Sequence, residues 1–304
     1  MKAPIPVSIA GAALSGPEPD LNMALDEMIY NVTSSALQKA GLSISDISGA
    51  CMAASDVADG RAISTMTLTG STGSFHKSEM RVCNDSLAAI QLGWAEVASG
   101  AADALMVCSW SKLSDARSES IRPLAMEPSM HRALGYSPDA VLALRTSAEQ
   151  HRPTTVATVE RTDVDVAGAM VLVRTGHYAA GPAKLVGFGA SMGRYLAPGE
   201  PVLQPVQKAF RDACDRAGVS PTELESVIVA GMPAIDDGEF ARAFGVSEGN
   251  IARPEDDRFA DLGYAAGITG VLNTLDRNGD GLSLIVSGGG LGYENAHAVV
   301  VEVS

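Results

Sequence analysis

Aromatic residues are few. Phe, Trp and Tyr together make up 5% of the 304 residues, too little for a surface on which nucleic-acid bases stack. Positive charge is also short: 22 Lys and Arg stand against 36 Asp and Glu, for a net charge of −14. That balance repels phosphate backbones and anionic lipid, so neither nucleic acid nor a membrane is expected as a partner. The four cysteines, Cys51, Cys83, Cys108 and Cys214, form no CxxC pair and no Cys/His ligand spacing, so no metal site is expected. No apolar run reaches the roughly eighteen residues that a membrane-crossing helix needs. The N-terminal stretch MKAPIPVSIAGAALSGPEPD carries one Lys and a short apolar run broken by proline. It reads as a first strand, VSIAGAAL, rather than a signal peptide. A cytoplasmic location with free thiols is the expectation that follows.

What is present points to a layered α/β chain. Hydrophobic residues make up 46% and charged ones 19%, enough for an ample core in two domains or one large double one. Abundant Gly and Ala suit close helix-on-sheet packing.

The chain is written twice. Residues 35–53 read SALQKAGLSISDISGACMA and residues 212–230 read DACDRAGVSPTELESVIVA. Each is a helix end, a Gly turn, a short polar turn with an acidic residue, and an apolar strand. A strand precedes each, VSIAGAAL in one half and AKLVGFGAS in the other, followed by a Pro/Gly-rich loop. The repeat continues in LAAIQLGWAEVASGAADALMVCS (87–109) and YAAGITGVLNTLDRNGDGLSLIVSG (264–288). Both predict a small-residue helix ending at Gly100 or Gly279, where glycine fits a left-handed C-cap, and then an apolar strand. The strands DVAGAMVLVRT (165–175) and AHAVVVEV (296–303) close the halves. The boundaries expected are 1–178 and 179–304, two α/β halves of roughly 130 residues of common plan packed in layers. Residues 111–160 fall outside the repeat as an insertion, in which SPDAVLALRTSAEQH has the N-cap Ser and first-turn Pro of a helix.

Four segments carry a resemblance. CNDSLAAI (83–90) resembles the Cys-x-Ser-Gly-x-x-Ala-Ile nucleophile region of the thiolase superfamily. SGGGLG (287–292) is similar to that family's C-terminal Gly-Gly-Gly-x-Gly loop, and LGYAAGITG (262–270) to its Gly-His-Pro-x-Gly segment. DVDVAGAMVLV (163–173) resembles the strand closing its first half. The resemblance spans nearly the whole chain and implies a duplicated thiolase-like fold of five layers, αβαβα. The departures lie at the chemistry. Tyr264 stands at the family's histidine, Val286 at its second cysteine, and AGMPAID (230–236) replaces its Asn-Glu-Ala-Phe or His-Gln-Ala-Asn segment. Asp85 and Ser86 stand where Ser and Gly are usual, and the insertion is short.

The candidate residues follow from both readings. Spacing alone favours a core thiol at Cys83, since buried cysteine is common; the match to the family's nucleophile reverses that preference. A helix N-terminus would lower its pKa and favour attack on a thioester, giving an acyl-enzyme. Tyr264, at the matching helix start of the second half, is expected to converge on the same cavity. It would donate a hydrogen bond to a carbonyl or enolate, its pKa of about 10 making it a poor base, or else serve as a packing aromatic. Backbone N–H groups of Gly288 or Gly289, with that of Cys83, would form an oxyanion hole, or the loop is simply a tight turn. Tyr293 would be a second phenolic acid, and Met232 lies near the polar position of the altered segment, a substrate-binding candidate. His76, His131, His151, His177 and His297 are read as surface or structural, and Asp236 and Asp237 as a solvated loop, with an approach to the cavity as the alternative.

The resemblance implies no permanently bound cofactor and an acyl-CoA or acyl-carrier-protein thioester as substrate. Three functions compete: a cysteine acyltransferase or condensing enzyme; a retro-aldolase acting on a β-hydroxyacyl thioester through tyrosines; and a non-catalytic subunit. A homodimer through the strand before Cys83 is implied, or a partner subunit that is thiolase-like or an OB-fold acyl-CoA-binding protein.

Overall fold

The computed structural model describes residues 5–55, 65–83, 85–115, 129, 132–136, 140–141, 162–179, 181–193, 203–232, 235–254, 260–277, 279–289 and 295–304. The first half runs β1 (Val7–Glu18), α1 (Leu25–Ala40), β2 (Gly49–Ala53), α2 (Thr65–Leu68), β3 (Ser78–Val82), α3 (Ser86–Ser99), β4 (Ala104–Lys112), β5 (Thr162–Asp163) and β6 (Asp165–Arg174). The second runs β7 (Ala183–Met192), α4 (Gln204–Ala217), β8 (Ser226–Ala230), α5 (Asp237–Phe244), β9 (Ile251–Ala252), β10 (Ala260–Asp261), α6 (Ala266–Asp276), β11 (Gly281–Gly289) and β12 (Asn295–Val303). The helix expected at 137–151 lies outside the described residues apart from Ala140 and Val141, which are helical.

Ten strands form one sheet in the order β3-β2-β4-β6-β1-β7-β12-β11-β8-β9. Outward from the centre, each half repeats one pattern: two antiparallel pairings, then two parallel ones. The halves meet where β1 pairs antiparallel with β7, at Ser8↔Lys184 and Ile9↔Ala183.

Along the strands, alternation sends buried side chains to one of three cores. In β4, Leu105 and Val107 face a central cluster, while Met106, Cys108 and Trp110 face an outer one beneath α1. In β11, Ile285 faces the centre, while Leu284 and Val286 face the other outer cluster beneath α4 and α5. The central cluster also takes Leu87, Ile90 and Val97 of α3 with Ile268, Val271 and Leu272 of α6. The layers are therefore α1, half-sheet, α3 with α6, half-sheet, and α4 with α5: the five-layered α/β arrangement expected.

Local signals repeat as well. α1 ends at Gly41 (φ 65°) and α4 at Gly218 (φ 70°), both left-handed. A 3₁₀ turn follows each, closed by a reciprocal capping box, Ser43 with Asp46 and Ser220 with Glu223. Gly100 caps α3 at φ 83° as expected. Gly279 does not cap α6. That helix stops at Asp276 with Arg277 as its cap (φ −81°), and the positive φ falls on Gly281 at the start of β11. Two glycines within three residues offered the chain a choice, and the strand start took the left-handed one.

Candidate active site

The first turns of α3 and α6 meet between the half-sheets. The N-cap of α3 is Asp85, whose Oδ1 accepts from Leu87 N at 2.8 Å. The same oxygen accepts from Ser287 Oγ at 2.7 Å, and the carboxylate also takes the backbone N–H of Gly267. Ser86 Oγ accepts from Ile268 N at 2.7 Å. Gly267 and Ile268 are the second and third residues of α6, so their N–H groups are among the four that a helix start leaves open. Asp85 thus caps its own helix and the facing one, with Ser86 completing the second cap. No side chain at the α6 N-cap position, Ala265, does this work. The approach is close: a Cβ on Gly267 would lie 2.5 Å from Asp85 Oδ1 and 2.6 Å from Leu87 Cγ.

The sheet supplies the rest of the cluster. Ser287 of β11 lies opposite His297 of β12 in the ladder, both on the face turned to α3 and α6. Asp85 is 9% exposed and Ser287 1%, while His297 is half-buried. Burial pushes the Asp85 carboxyl above its ordinary value, against the opposing pull of Leu87 N, Ser287 Oγ, His297 and Gly267 N. Burial also pushes the His297 imidazole below its ordinary value, against the pull of Asp85. The two proton affinities are drawn towards each other.

The duplication shows what is special here. Ser109 holds in β4 the register that Ser287 holds in β11: each lies opposite the last residue of its parallel neighbour, Ala53 of β2 or Ala230 of β8. Ser109 Oγ lies 2.6 Å from Ala53 O and 3.1 Å from Tyr264 O, so in the first half the serine holds main chain. Across the ladder from Ser109 is Gly168, against whose Cα Ile268 packs. The second half puts His297 at that place. A carboxylate and an imidazole therefore appear at one of two equivalent positions.

The residues singled out in the sequence are dispersed around this cluster. Cys83 lies between β3 and the Asp85 cap and is exposed. Tyr264 sits half-buried in the 3₁₀ turn Gly263–Ala265, which runs directly into α6. Gly288 and Gly289 continue β11 opposite Ala296 and Asn295 of β12. Tyr293 lies outside the described residues, as do His131 and His151. Met232 is fully buried in the outer core with Phe240 and Ile235, while its carbonyl accepts from Arg253 Nη1 at 3.1 Å. Asp236 is exposed at the end of its loop, and Asp237 is the first residue of α5. Asp236 caps α5 by accepting from Gly238 N and Glu239 N, and Asp237 pairs with Arg253 at 2.6 Å. His76 and His177 are exposed. The other three thiols are core residues: burial raises Cys51 to about 12 and Cys214 to about 11, and raises Cys108 as well. Asp85, Ser287 and His297 were missed as a group. Aspartate two residues before Leu87 is an N-cap signal, but the pairing of Ser287 with His297 depends on a register the sequence does not state.

With ten strands in this order and two facing central helices, the chain has the fold of the thiolase superfamily. No protein-family model and no curated protein matches the sequence; solved structures do. A variant of OleA from Xanthomonas campestris superposes with a TM-score of 0.69 at 15% identity, over 99% of each chain. Acetyl-CoA acetyltransferase from Syntrophomonas wolfei gives 0.68 at 12% identity, over 98% of this chain and 99% of that one. The Ltp2–ChsH2 aldolase gives 0.67 at 12% identity, over 99% of each. Among the described residues no helix is long and apolar enough to cross a membrane.

Proposed function

We propose that the chain is a thiolase-fold enzyme of acyl thioesters and, within that class, a carbon–carbon lyase cleaving a β-hydroxyacyl thioester. One observation carries the choice: the carboxylate of Asp85, not a thiol, occupies the point where two helix N-termini converge. The field of a helix start falls off within its first turn. Cys83 is two residues outside that turn and exposed. An acyl-enzyme on Cys83 therefore lacks its activating device. Retro-aldol cleavage needs no such nucleophile. It needs a base for the β-hydroxyl, a hydrogen-bond donor for the thioester oxygen as enolate charge develops, and an acid for the enolate carbon. Tyr264, ahead of α6, fits the acid, and Tyr293 is a second phenol for the same work. Among the solved structures with this fold, the Ltp2–ChsH2 aldolase is described by an activity of this kind.

The test is incubation with β-hydroxyacyl-CoA esters, scoring the released aldehyde or ketone and the shortened acyl-CoA. Cleavage surviving Cys83→Ala but falling about 100-fold or more in Tyr264→Phe, the range of a lost general acid, is the expected result. An acyl adduct on Cys83 by mass spectrometry would overturn the reading in favour of acyl transfer. Absence of turnover would leave a non-catalytic subunit.

A further inference from the structure

The phenols of the proposed site are acids at neutral pH, which leaves the β-hydroxyl without a base. The cluster at the helix junction holds a group suited to that step. His297 is half-buried, with its strand neighbours Ala296 and Ala298 turned to the outer core, so its side chain is on the face of α3 and α6. Behind it stands Asp85, fixed by Leu87 N, Ser287 Oγ and Gly267 N. Gly267 belongs to the helix that begins directly after the Tyr264 turn. The same α6 start thus ties together the phenol-bearing turn and the carboxylate.

We infer that His297 is the proton acceptor of the lyase reaction and that Asp85 is its positioning residue, an inference that rests on the lyase reading above. The imidazole takes the proton of the β-hydroxyl. The bond between the α and β carbons breaks, its electron pair enters the thioester enolate, and the carbinol becomes a carbonyl. The enolate carbon takes the Tyr264 hydroxyl proton, and the imidazolium returns its proton to the phenolate through water. No oxidant or reductant is involved and no proton is gained or lost. Asp85 acts on the ring through its charge, stabilising the imidazolium while it lasts, and Ser287 holds Asp85.

Among the described residues, the ionisable surroundings of His297 are few. From α3, Asp85 faces it; Glu96, the other acid of that helix, acts on Cys51 instead. β11 presents Ser287 and β7 presents Ala190 opposite it. α6 brings Gly267 at this end and keeps Asp276 at the other. Further along β12, Glu302 pairs with Lys184 of β7 at 3.2 Å.

Two measurements on the intact chain test this. In the first, the imidazole signals are titrated by NMR, with that of His297 assigned by its loss in His297→Gln. Asp85→Asn removes the negative neighbour, so the His297 midpoint is expected to fall; Ser287→Ala, which leaves the charge, is the milder control should Asp85→Asn fold poorly. An unmoved midpoint in a folded Asp85→Asn overturns the pairing, whether or not the protein turns over a substrate. In the second, kcat/KM for β-hydroxyacyl-CoA cleavage is followed against pH. Its acidic limb is expected to track the His297 midpoint and to shift with it in Asp85→Asn, with about 100-fold or greater loss in His297→Gln. A His297→Gln enzyme that keeps its rate and its acidic limb overturns the role of base while leaving the lyase reading intact. No cleavage by the wild type sinks the lyase reading and the role of base with it, while the NMR result still decides the pairing.

Discussion

Asp165 and Lys112 form the most deeply buried ion pair among the described residues, at 3.1 Å with 0% and 3% of their side chains exposed. Burial raises the Asp165 carboxyl, but Ser114 Oγ, Ser114 N, Leu21 N and Lys112 outweigh it and hold the group below its ordinary value. Burial likewise lowers Lys112, and its contacts with Asp165 and Asp115 outweigh that and raise it. The cluster pins the start of β6 to the end of β4, where the insertion leaves the sheet. Removing Asp165 leaves the Lys112 charge with Asp115 alone, 3.2 Å away and partly exposed, so Asp165→Asn is expected to cost about 3 kcal/mol in chemical denaturation at neutral pH, the low end of the range for a broken buried pair. The sign with pH follows from the depressed carboxyl. Its contribution is complete above the unfolded value of about 4 and is lost as pH falls through the folded value. The gap between wild type and Asp165→Asn should therefore narrow on acidification below pH about 4; a gap that widens there would contradict the assigned direction.

At the scale of elements, the decisive contact is helix start against helix start. Gly267 and Gly270 both lie in α6, where alanine gains about 0.8–1 kcal/mol in helix propensity. At Gly267 the new methyl would meet Asp85 Oδ1 at 2.5 Å and Leu87 Cγ at 2.6 Å, atoms held by the cap and the core. Overpacking of that kind costs about 1–3 kcal/mol, so Gly267→Ala should be net destabilising and should loosen the Asp85 cap. At Gly270 the nearest atoms are methyls of Ile285 and Ile228 at 3.0 and 3.1 Å. These methyls need to shift by only a few tenths of an ångström, a cost that the gain in helix propensity roughly offsets, so Gly270→Ala should sit near neutral in the same melts. Equal effects would remove the case for a special junction. Elements of this type were only partly legible in the sequence. Strands, the repeat and the Gly100 cap could be read because local pattern and fold agree there. The SGG of 287–289 reads as loop by glycine propensity but is strand, because β12 supplies the ladder that glycine would not form alone. Asp85 was visible as a departure from a family motif, but its role was not. Its partners Ser287 and Gly267 are about 180 to 200 positions away, and they reach it only through strand register and the crossing of two helices.

At the scale of the molecule, duplication brings the two halves together across a thin seam in the sheet and a thick one in the core. β1 and β7 share just two residue pairs. α3, by contrast, packs on β2, β4 and β6 of its own half and on β12 of the other, and α6 on β8 and β11 as well as β1 and β6. The central cluster draws Leu105, Val107, Met170 and Leu172 from one half and Ile285, Val299 and Val301 from the other. Separating the halves would strip one face of each central helix and the inner face of each half-sheet, an apolar area beyond the few hundred Å² that monomers usually expose. The cap of α6 would go too, because Asp85 and Ser86 belong to the first half. Fragments 1–178 and 179–304 are therefore expected to aggregate, or to show dye-binding, loosely packed states without near-UV signal, when made alone. Made together they should associate into one particle with native-like near-UV circular dichroism, and the intact chain should unfold in a single calorimetric transition. If either fragment alone proved monomeric with sharp tertiary signals, the central layer would not be the common core of both halves, and the helix junction would be a contact between finished domains rather than part of what folds them.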